Sequence, residues 1–153
     1  MTDATRAGFG SLLSQTTRSW RRAVNRRLQP YGLTEATWLP LLHVSRASAP
    51  MRQKDLAASL GLDGSSVVRV LDALQAAGLV TRREEDADRR AKAIVLTPLG
   101  QSTVQQVEQV AIQVREAALA GIADRELQRA VRLLQDICQR LDAEANPDTG
   151  EAP

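Results

Sequence analysis

Hydroxyl and cationic side chains gather in the middle of this chain in a pattern that suits contact with a polyanion. Gln53 and Lys54 begin one short amphipathic segment, and Ser65, Ser66 and Arg69 lie at the start of the next. Serine can donate to or accept from base edges, and arginine can bind a guanine edge or a phosphate. The small side chains at the start of the second segment would let it approach a major groove closely. We predict that these five residues contact double-stranded DNA.

A second group of cations follows an acidic turn. The run 84–88 (EEDAD) leads directly into Arg89, Arg90 and Lys92. Arginine favours narrow A/T-rich minor grooves, and all three cations can contact phosphates. We predict that Arg90 enters the minor groove while Arg89 and Lys92 lie near phosphates. A purely solvated charged hairpin is the alternative, although it does not explain why three cations follow the turn.

Structural roles are also open for the residues of the first group. Ser65 and Ser66 could serve only to begin a helix, because hydroxyl side chains are favoured at helix starts. Arg69 could form a structural ion pair with Asp72 or Asp88.

Residues that would support catalysis or a metal centre are scarce. One cysteine, Cys138, and one histidine, His43, rule out a His/Cys metal cluster within one chain. The sequence has no His-Glu-x-x-His motif, no P-loop, no Gly-x-Ser-x-Gly elbow and no dinucleotide fingerprint. Cys138 shares the apolar side of its segment with Ile137, which favours a packed, inert thiol over a redox sensor. We therefore expect no enzymatic activity and no cofactor.

Length and composition are those expected of a single domain. The chain has 153 residues, 43% of them apolar, which is enough for one sizeable core. No apolar run approaches the roughly 20 residues of a membrane span, and the N-terminus lacks a signal-peptide pattern, so we expect a cytoplasmic protein with no membrane contact. Residues 1–61 carry nine basic and three acidic side chains, whereas residues 98–153 carry five and nine. This asymmetry favours a polyanionic partner on one side of the molecule.

Apolar periodicity and capping residues predict the elements that hold these side chains. An amphipathic first helix ends at residues 30–32 (PYG), and a second begins after Thr34, which offers an N-cap oxygen. Pro40 predicts a bend or a late start in that second helix. Two short helices then flank residues 61–63 (GLD), whose glycine can end a helix and whose aspartate can cap one. Together they form a helix-turn-helix.

Two strands follow the helix-turn-helix. Residues 79–83 and 91–97 read as strands on either side of a charged turn at 84–90, which makes a wing. Thr97 and Pro98 supply an N-cap and a first-turn proline for a long helix, and a last helix follows it. The predicted fold is mostly α with a small β-wing: a winged helix-turn-helix of about six helices plus a β-hairpin.

The predicted regions follow from these elements. We assign residues 5–30 and 98–145 to dimerisation helices, residues 34–97 to the DNA-binding region and residues 146–153 to a disordered tail.

Five stretches carry a family resemblance. They are WRRAVNRRLQP (20–30), LTEATW (33–38), DLAASLGL (55–62), SVVRVLDALQAAGL (66–79) and DRRAKAIVLT (88–97). In this order they resemble the MarR family of transcriptional regulators, its SlyA branch in particular, and the DRRAK run before LT is the most specific of them. The resemblance implies a homodimer that is built by the terminal helices and binds a pseudo-palindromic site. Arg52 departs from the family pattern, in which Ser or Thr usually caps the first helix of the helix-turn-helix.

The resemblance also implies a ligand cleft between the dimerisation and DNA-binding parts. Trp20 and Trp38 lie on the first two helices with Arg21 and His43, and an indole beside a guanidinium suits a small aromatic carboxylate. Because SlyA-like proteins are thought to bind such acids, these four residues are the predicted ligand contacts. The alternative is that the tryptophans are core residues and the arginines form a solvated face.

Other functions are compatible with the same residues. An architectural nucleic-acid binder without a ligand would keep the wing and the helix but would discriminate little among sequences. A protein-interaction module on the long helices would need sustained heptads, which residues 104–118 supply only briefly. We predict a sequence-specific DNA-binding transcriptional regulator that acts as a repressor and whose DNA affinity is modulated by a small aromatic or phenolic acid.

Overall fold

The computed structural model of the chain describes residues 2–85 and 88–145, with side chains at 4–84 and 92–145. The predicted tail at 146–153 lies outside the described residues. The chain divides into two compact units, residues 1–115 and 116–153. In the described part, no helix is long and apolar enough to cross a lipid bilayer.

Six helices and three strands make up the fold, which confirms the predicted class. In chain order they are α1 (Thr2–Leu28), a short 3-10 helix (Gln29–Tyr31), α2 (Glu35–Arg46), β1 (Met51–Arg52), α3 (Gln53–Leu60), α4 (Gly64–Ala76), β2 (Val80–Glu85), β3 (Asp88–Leu96), α5 (Pro98–Leu119) and α6 (Asp124–Ala145).

The sheet is antiparallel, with strand order β1-β3-β2. In β2 and β3, Val80 lies opposite Leu96 and Glu84 lies opposite Lys92. The prediction of a turn covering all of 84–90 is wrong, because β2 continues to Glu85 and β3 begins at Asp88. An exposed two-stranded ribbon can carry charged residues without burying them, and opposite charges across the ladder stabilise it. The two-residue strand β1, which pairs with β3, is not predicted from the sequence.

The core of the first unit is aliphatic and joins its helices to the sheet. Its most completely buried side chains are Leu28, Leu41, Leu56, Val67, Leu71, Leu74, Val80 and Val107. Three of these lie on α4, on the face that apolar spacing predicts to point inward. Each such burial stabilises the fold by about 1.5–3 kcal/mol. The core therefore fixes which face of α4 is left outward.

Local capping residues set the boundaries of the helix-turn-helix and of α5. Gly61 ends α3 with a left-handed φ of 64°, and Asp63 Oδ1 accepts the backbone N–H of Ser66 at 2.7 Å. Thr97 Oγ1 donates to the carbonyl oxygen of Gly78 at 2.6 Å and accepts the N–H of Gly100 at 3.0 Å. These three caps are confirmed.

Two other helix starts differ from expectation. Thr34 is the N-cap residue of α2, but its hydroxyl makes no capping bond. The helix nevertheless runs from Glu35 through Pro40, so the late start is not observed. At the start of α3, Arg52 departs from the family pattern. Its backbone N–H donates to Asp55 Oδ2, within the same helix, at 2.9 Å.

The second unit is dominated by α6, whose apolar residues lie along one face at helical spacing. They are Leu127, Val131, Leu134, Ile137 and Leu141. None of the residues of α6 is buried in the single chain. Cys138, on the same side, is exposed, so the expectation of a packed thiol is wrong for the single chain.

Candidate nucleic-acid interface and adjoining cavity

The N-terminus of α4 is held by its own cap. Ser65 Oγ donates to Asp63 Oδ1 at 2.9 Å, and the same oxygen accepts the N–H of Ser66. The backbone N–H of Ser66, followed by the hydroxyl of Ser65, keeps the pKa of Asp63 below its usual range. Ser65 and Ser66, both predicted DNA contacts, thus take part in starting the helix. The oxygen of Ser65 keeps lone pairs that can still accept from a base edge.

Arg69 lies one turn further along α4 and is exposed. Asp72, one of the two partners considered for it, is instead bound by Arg82, whose Nη2 lies 2.8 Å from Asp72 Oδ1. Within the described residues, Arg69 makes no ion pair. The side chain of Asp88, the other partner considered, lies outside the described part, and no described carboxylate engages the guanidinium of Arg69.

The Asp72–Arg82 ion pair connects helix α4 to strand β2 of the wing. The side chain of Arg82 is 25% exposed and that of Asp72 is 62% exposed. Arg82 Nε is buried and has no hydrogen-bond partner in the described structure, so the pair is the main polar anchor of this guanidinium. Sequence reasoning missed this contact, because residues ten apart on different elements show no local signal.

The remaining predicted DNA contacts lie on elements that adjoin α4. Helix α3 packs against α4, β1 and β3, and it places Gln53, half-buried, and Lys54, exposed, in its first turn. Lys92 is exposed on β3. Arg89 and Arg90 lie in β3, but their side chains, like that of Asp88, lie outside the described part.

A cavity of about 410 Å³ opens between α1, α2 and the C-terminal half of α5. Its apolar wall is formed by Trp20, Val24, Trp38, Leu39, Leu42 and Ala111. Trp38 is almost fully buried, whereas Trp20 is partly exposed. Both tryptophans of the sequence therefore line the cavity, together with Arg21. Its volume lies in the range of cavities that hold drug-sized ligands.

A chain of hydrogen bonds fixes the tryptophan side of this cavity. Trp38 Nε1 donates to Asn25 Oδ1 at 2.6 Å, and Asn25 Nδ2 donates to Glu35 Oε2 at 3.4 Å. The other oxygen of Glu35 binds Arg21 Nη1 at 3.0 Å. The buried indole is thus satisfied and oriented. Asn25 and Glu35 are the functional candidates that the sequence did not indicate.

His43 does not line the cavity. Its Nδ1 lies 3.0 Å from Ser59 Oγ on α3, so the ring connects α2 to the helix-turn-helix. Burial, followed by the charges of Arg21 and Arg46, lowers the pKa of His43. Both effects favour the neutral imidazole.

The rim of the cavity carries hydroxyl and guanidinium groups. Thr16 and Thr17 come from α1, Arg46 from the last turn of α2, and Arg115 from α5. Arg46 and Arg115 are exposed, and neither makes an ion pair with a described residue. Across residues 2–85 and 88–145, no group of three or more His, Cys, Asp or Glu residues could hold a metal ion.

A helix-turn-helix with an exposed, polar first turn on its second helix, followed by a two-stranded wing, defines a winged-helix DNA-binding protein. A model of the MarR family matches residues 31–91. The chain is also 42% identical to the transcriptional regulator PA3341; the match covers 88% of this chain and 98% of that one, with a TM-score of 0.82. The chain belongs to the MarR family of transcriptional regulators.

Two further solved structures place this result in context. CouR from Rhodococcus jostii RHA1, solved with p-coumaroyl-CoA bound, is 29% identical; the match covers 89% of this chain and 95% of CouR, with a TM-score of 0.76. MepR from S. aureus, solved as a DNA complex, is 19% identical; the match covers 87% of this chain and 97% of MepR, with a TM-score of 0.75. The likeness to MepR concerns the fold alone.

Proposed function

We propose that this MarR-family regulator is a homodimeric repressor that binds a pseudo-palindromic operator and releases it when a small aromatic acid enters the cavity beside Trp20 and Trp38. The observation that carries the proposal is the cavity itself. It combines two indoles and guanidinium groups within the unit that also holds the helix-turn-helix. No enzymatic activity is proposed, and a regulator of transcription would act in the cytoplasm.

The proposed DNA contacts divide into readers and anchors. Arg69 reads base edges in the major groove, because it is exposed and no described carboxylate engages it. Ser65 and Ser66 allow close approach of α4 and offer hydroxyl oxygens. The backbone is anchored by Gln53 and Lys54 at the start of α3.

The wing contributes the remaining anchors. Arg90 enters the minor groove, and Arg89 and Lys92 contact phosphates. Support comes from the exposed position of Lys92 and from the ion pair that fixes β2 to α4.

Dimerisation is supported by apolar side chains that are exposed to solvent in the single chain. Leu12 on α1 is 59% exposed, and Leu141 on α6 is 60% exposed. Helices with such unpartnered apolar faces are expected to pack against a second copy. A stable, folded monomer at micromolar concentration in analytical ultracentrifugation would contradict this part of the proposal.

The nature of the effector is supported by the cavity and by a relative. The indoles can pack against an aromatic ring of the ligand, and the guanidinium groups can bind its acidic group. CouR, which shares 29% of its sequence with this chain, was solved with an aromatic acyl thioester bound. Placement in the SlyA branch rests on the DRRAK–LT stretch, and it favours a free aromatic acid.

The experiment is a binding titration of the purified protein with the region upstream of its own gene and with a random duplex. We expect Arg69→Ala to lower discrimination between the two duplexes by about 1–3 kcal/mol, because a bidentate base contact is lost. Arg27→Ala is the matched control, since it removes an exposed arginine of α1 outside the proposed interface. Equal affinity of the wild-type protein for both duplexes would instead support an architectural DNA-binding protein.

Addition of salicylate or p-coumarate completes the test. Ligand that favours the DNA-incompetent form by about 1.4–3 kcal/mol lowers operator affinity roughly 10- to 150-fold. Operator DNA must then weaken ligand binding by the same factor. Equal ligand affinity with and without operator would show that occupancy of the cavity does not control DNA binding.

A further inference from the structure

The charged side chains that line the cavity are all positive among the described residues. Three guanidinium groups line it, those of Arg21, Arg46 and Arg115, and no described Asp or Glu does. All three arginine side chains are exposed to solvent in the single chain. A ligand that fills the cavity reduces this exposure, so each cation then needs a negative partner.

One of the three cations already has such a partner. Arg21 Nη1 lies 3.0 Å from Glu35 Oε1, on the side of the cavity that faces the start of α2. The second oxygen of Glu35 is engaged by Asn25, which keeps the carboxylate in place. Arg21 is therefore largely compensated before any ligand arrives, whereas Arg46 and Arg115 have no ion-pair partner among the described residues.

We infer that the effector is an aromatic dianion, whose two negative groups bind Arg46 and Arg115 while its aromatic body packs against Trp20 and Trp38. This inference rests on the proposed effector function and refines it. A monocarboxylate would neutralise only one of the two free guanidinium groups and would leave the other partly desolvated without a partner. The assignment also moves the principal anion contact away from Arg21, where the sequence placed it.

The volume of the cavity agrees with such a ligand. At about 410 Å³ it has room for more than a single substituted ring. The second negative group can belong to a dicarboxylate or to the phosphates of an acyl thioester, and both offer planar or tetrahedral oxyanions that arginine binds in a bidentate manner.

The test uses isothermal titration calorimetry with probes that share one skeleton. Methyl cinnamate is neutral, cinnamate carries one negative charge and 4-carboxycinnamate carries two; p-coumaroyl-CoA supplies the phosphate source. We expect 4-carboxycinnamate to bind about 10- to 100-fold more tightly than cinnamate, which corresponds to one additional charge-assisted contact. Arg46→Gln and Arg115→Gln should each abolish most of this difference, and Arg27→Gln should not change it.

The outcomes separate the inference from the function on which it rests. If cinnamate binds as tightly as 4-carboxycinnamate and releases the operator, the dianion inference is wrong and the proposed regulation stands. If no probe binds, both the inference and the proposed effector class are wrong. If p-coumaroyl-CoA alone binds, its loss in Arg46→Gln and Arg115→Gln supports the inference, and unchanged binding in those variants overturns it.

Discussion

Among the glycines of the described residues, Gly100 has the least room for a Cβ atom, and its replacement by alanine tests the junction between the wing and α5. Gly100 is buried in the first turn of α5, and a Cβ atom there would collide with the carbonyl oxygen of Leu79. That carbonyl is held in place, because it accepts the backbone N–H of Thr97 at 3.1 Å. An added methyl group must therefore displace backbone rather than a flexible side chain.

The size of the effect follows from comparison with a second glycine. Gly64 begins α4, and a Cβ atom there meets nothing within 4 Å. Replacing glycine by alanine where the backbone permits it stabilises a protein by about 0.4–1 kcal/mol, chiefly because the unfolded chain loses freedom. At Gly64 this gain stands alone. At Gly100 it is opposed by an overpacking cost of about 1–3 kcal/mol, so we expect a net loss of about 1–2 kcal/mol.

The assay is urea denaturation followed by tryptophan fluorescence at one fixed protein concentration. The midpoint should fall for Gly100→Ala and rise slightly for Gly64→Ala. Operator affinity should fall more for Gly64→Ala than for Gly100→Ala, because a methyl group at Gly64 reduces the clearance of α4 from the groove. A Gly100→Ala protein as stable as the wild type, with an unchanged denaturant slope, would refute the argument from close approach.

Further predictions concern pH and the anchor of the wing. Because folding lowers the pKa of Asp63, its carboxylate stabilises the fold above the unfolded pKa of 3.8, and this stabilisation is lost as the pH falls through the folded pKa. Asp63→Asn, which retains a capping oxygen, should flatten the decline of the unfolding free energy in acid. Because folding lowers the pKa of His43, its neutral imidazole contributes fully to stability above pH 6.5, and this contribution is lost as the pH falls further. His43→Gln should remove the pH dependence of the unfolding free energy that His43 causes between pH 7 and pH 5. An identical pH dependence in the variant would contradict the assignment. A double-mutant cycle of Asp72→Ala and Arg82→Ala should give a coupling free energy of about 0.5–1 kcal/mol in urea titrations, and strictly additive effects would show that the ion pair contributes nothing.

The helix-turn-helix could be predicted from the sequence because local residues determine it. Gly61 supplies the left-handed conformation that ends α3, and Asp63 caps α4 with an oxygen three residues from the N–H that it accepts. Thr97 and Pro98 likewise mark the start of α5. Such signals lie within a few residues of one another, so they can be recognised without knowledge of the fold.

The contacts that define the cavity and orient the wing could not be predicted in the same way. Trp38 and Asn25 are 13 residues apart, on different helices, and the partner of Asp72 is on a strand. The sequence indicated that Arg21 and Trp38 could lie together, but it gave no sign that Glu35 already pairs with Arg21. Only packing of α1 against α2 shows which guanidinium groups are free.

The apolar face of α6 illustrates a different limit. Periodicity placed Cys138 on the apolar side of its segment with Ile137, but the packed thiol that it favoured is wrong for the single chain. Periodicity reports which side of a helix avoids water, but it does not say whether the covering surface belongs to the same chain. A second copy would reconcile the exposed face with its composition.

Helix α2 is the element through which the cavity and the DNA-binding surface are connected. Trp38 and Leu42 face the cavity, while His43, the next residue after Leu42, contacts Ser59 on α3 at 3.0 Å. A ligand that displaces α2 must therefore either break this hydrogen bond or carry α3 with it, and α3 packs directly against α4. Because binding free energies are reciprocal, DNA that fixes α3 and α4 must in turn hold α2 in the arrangement that disfavours the ligand. The structure thus supplies a contiguous physical route for the proposed regulation, and its hydrogen-bonded step depends on a histidine whose lowered pKa favours the neutral imidazole.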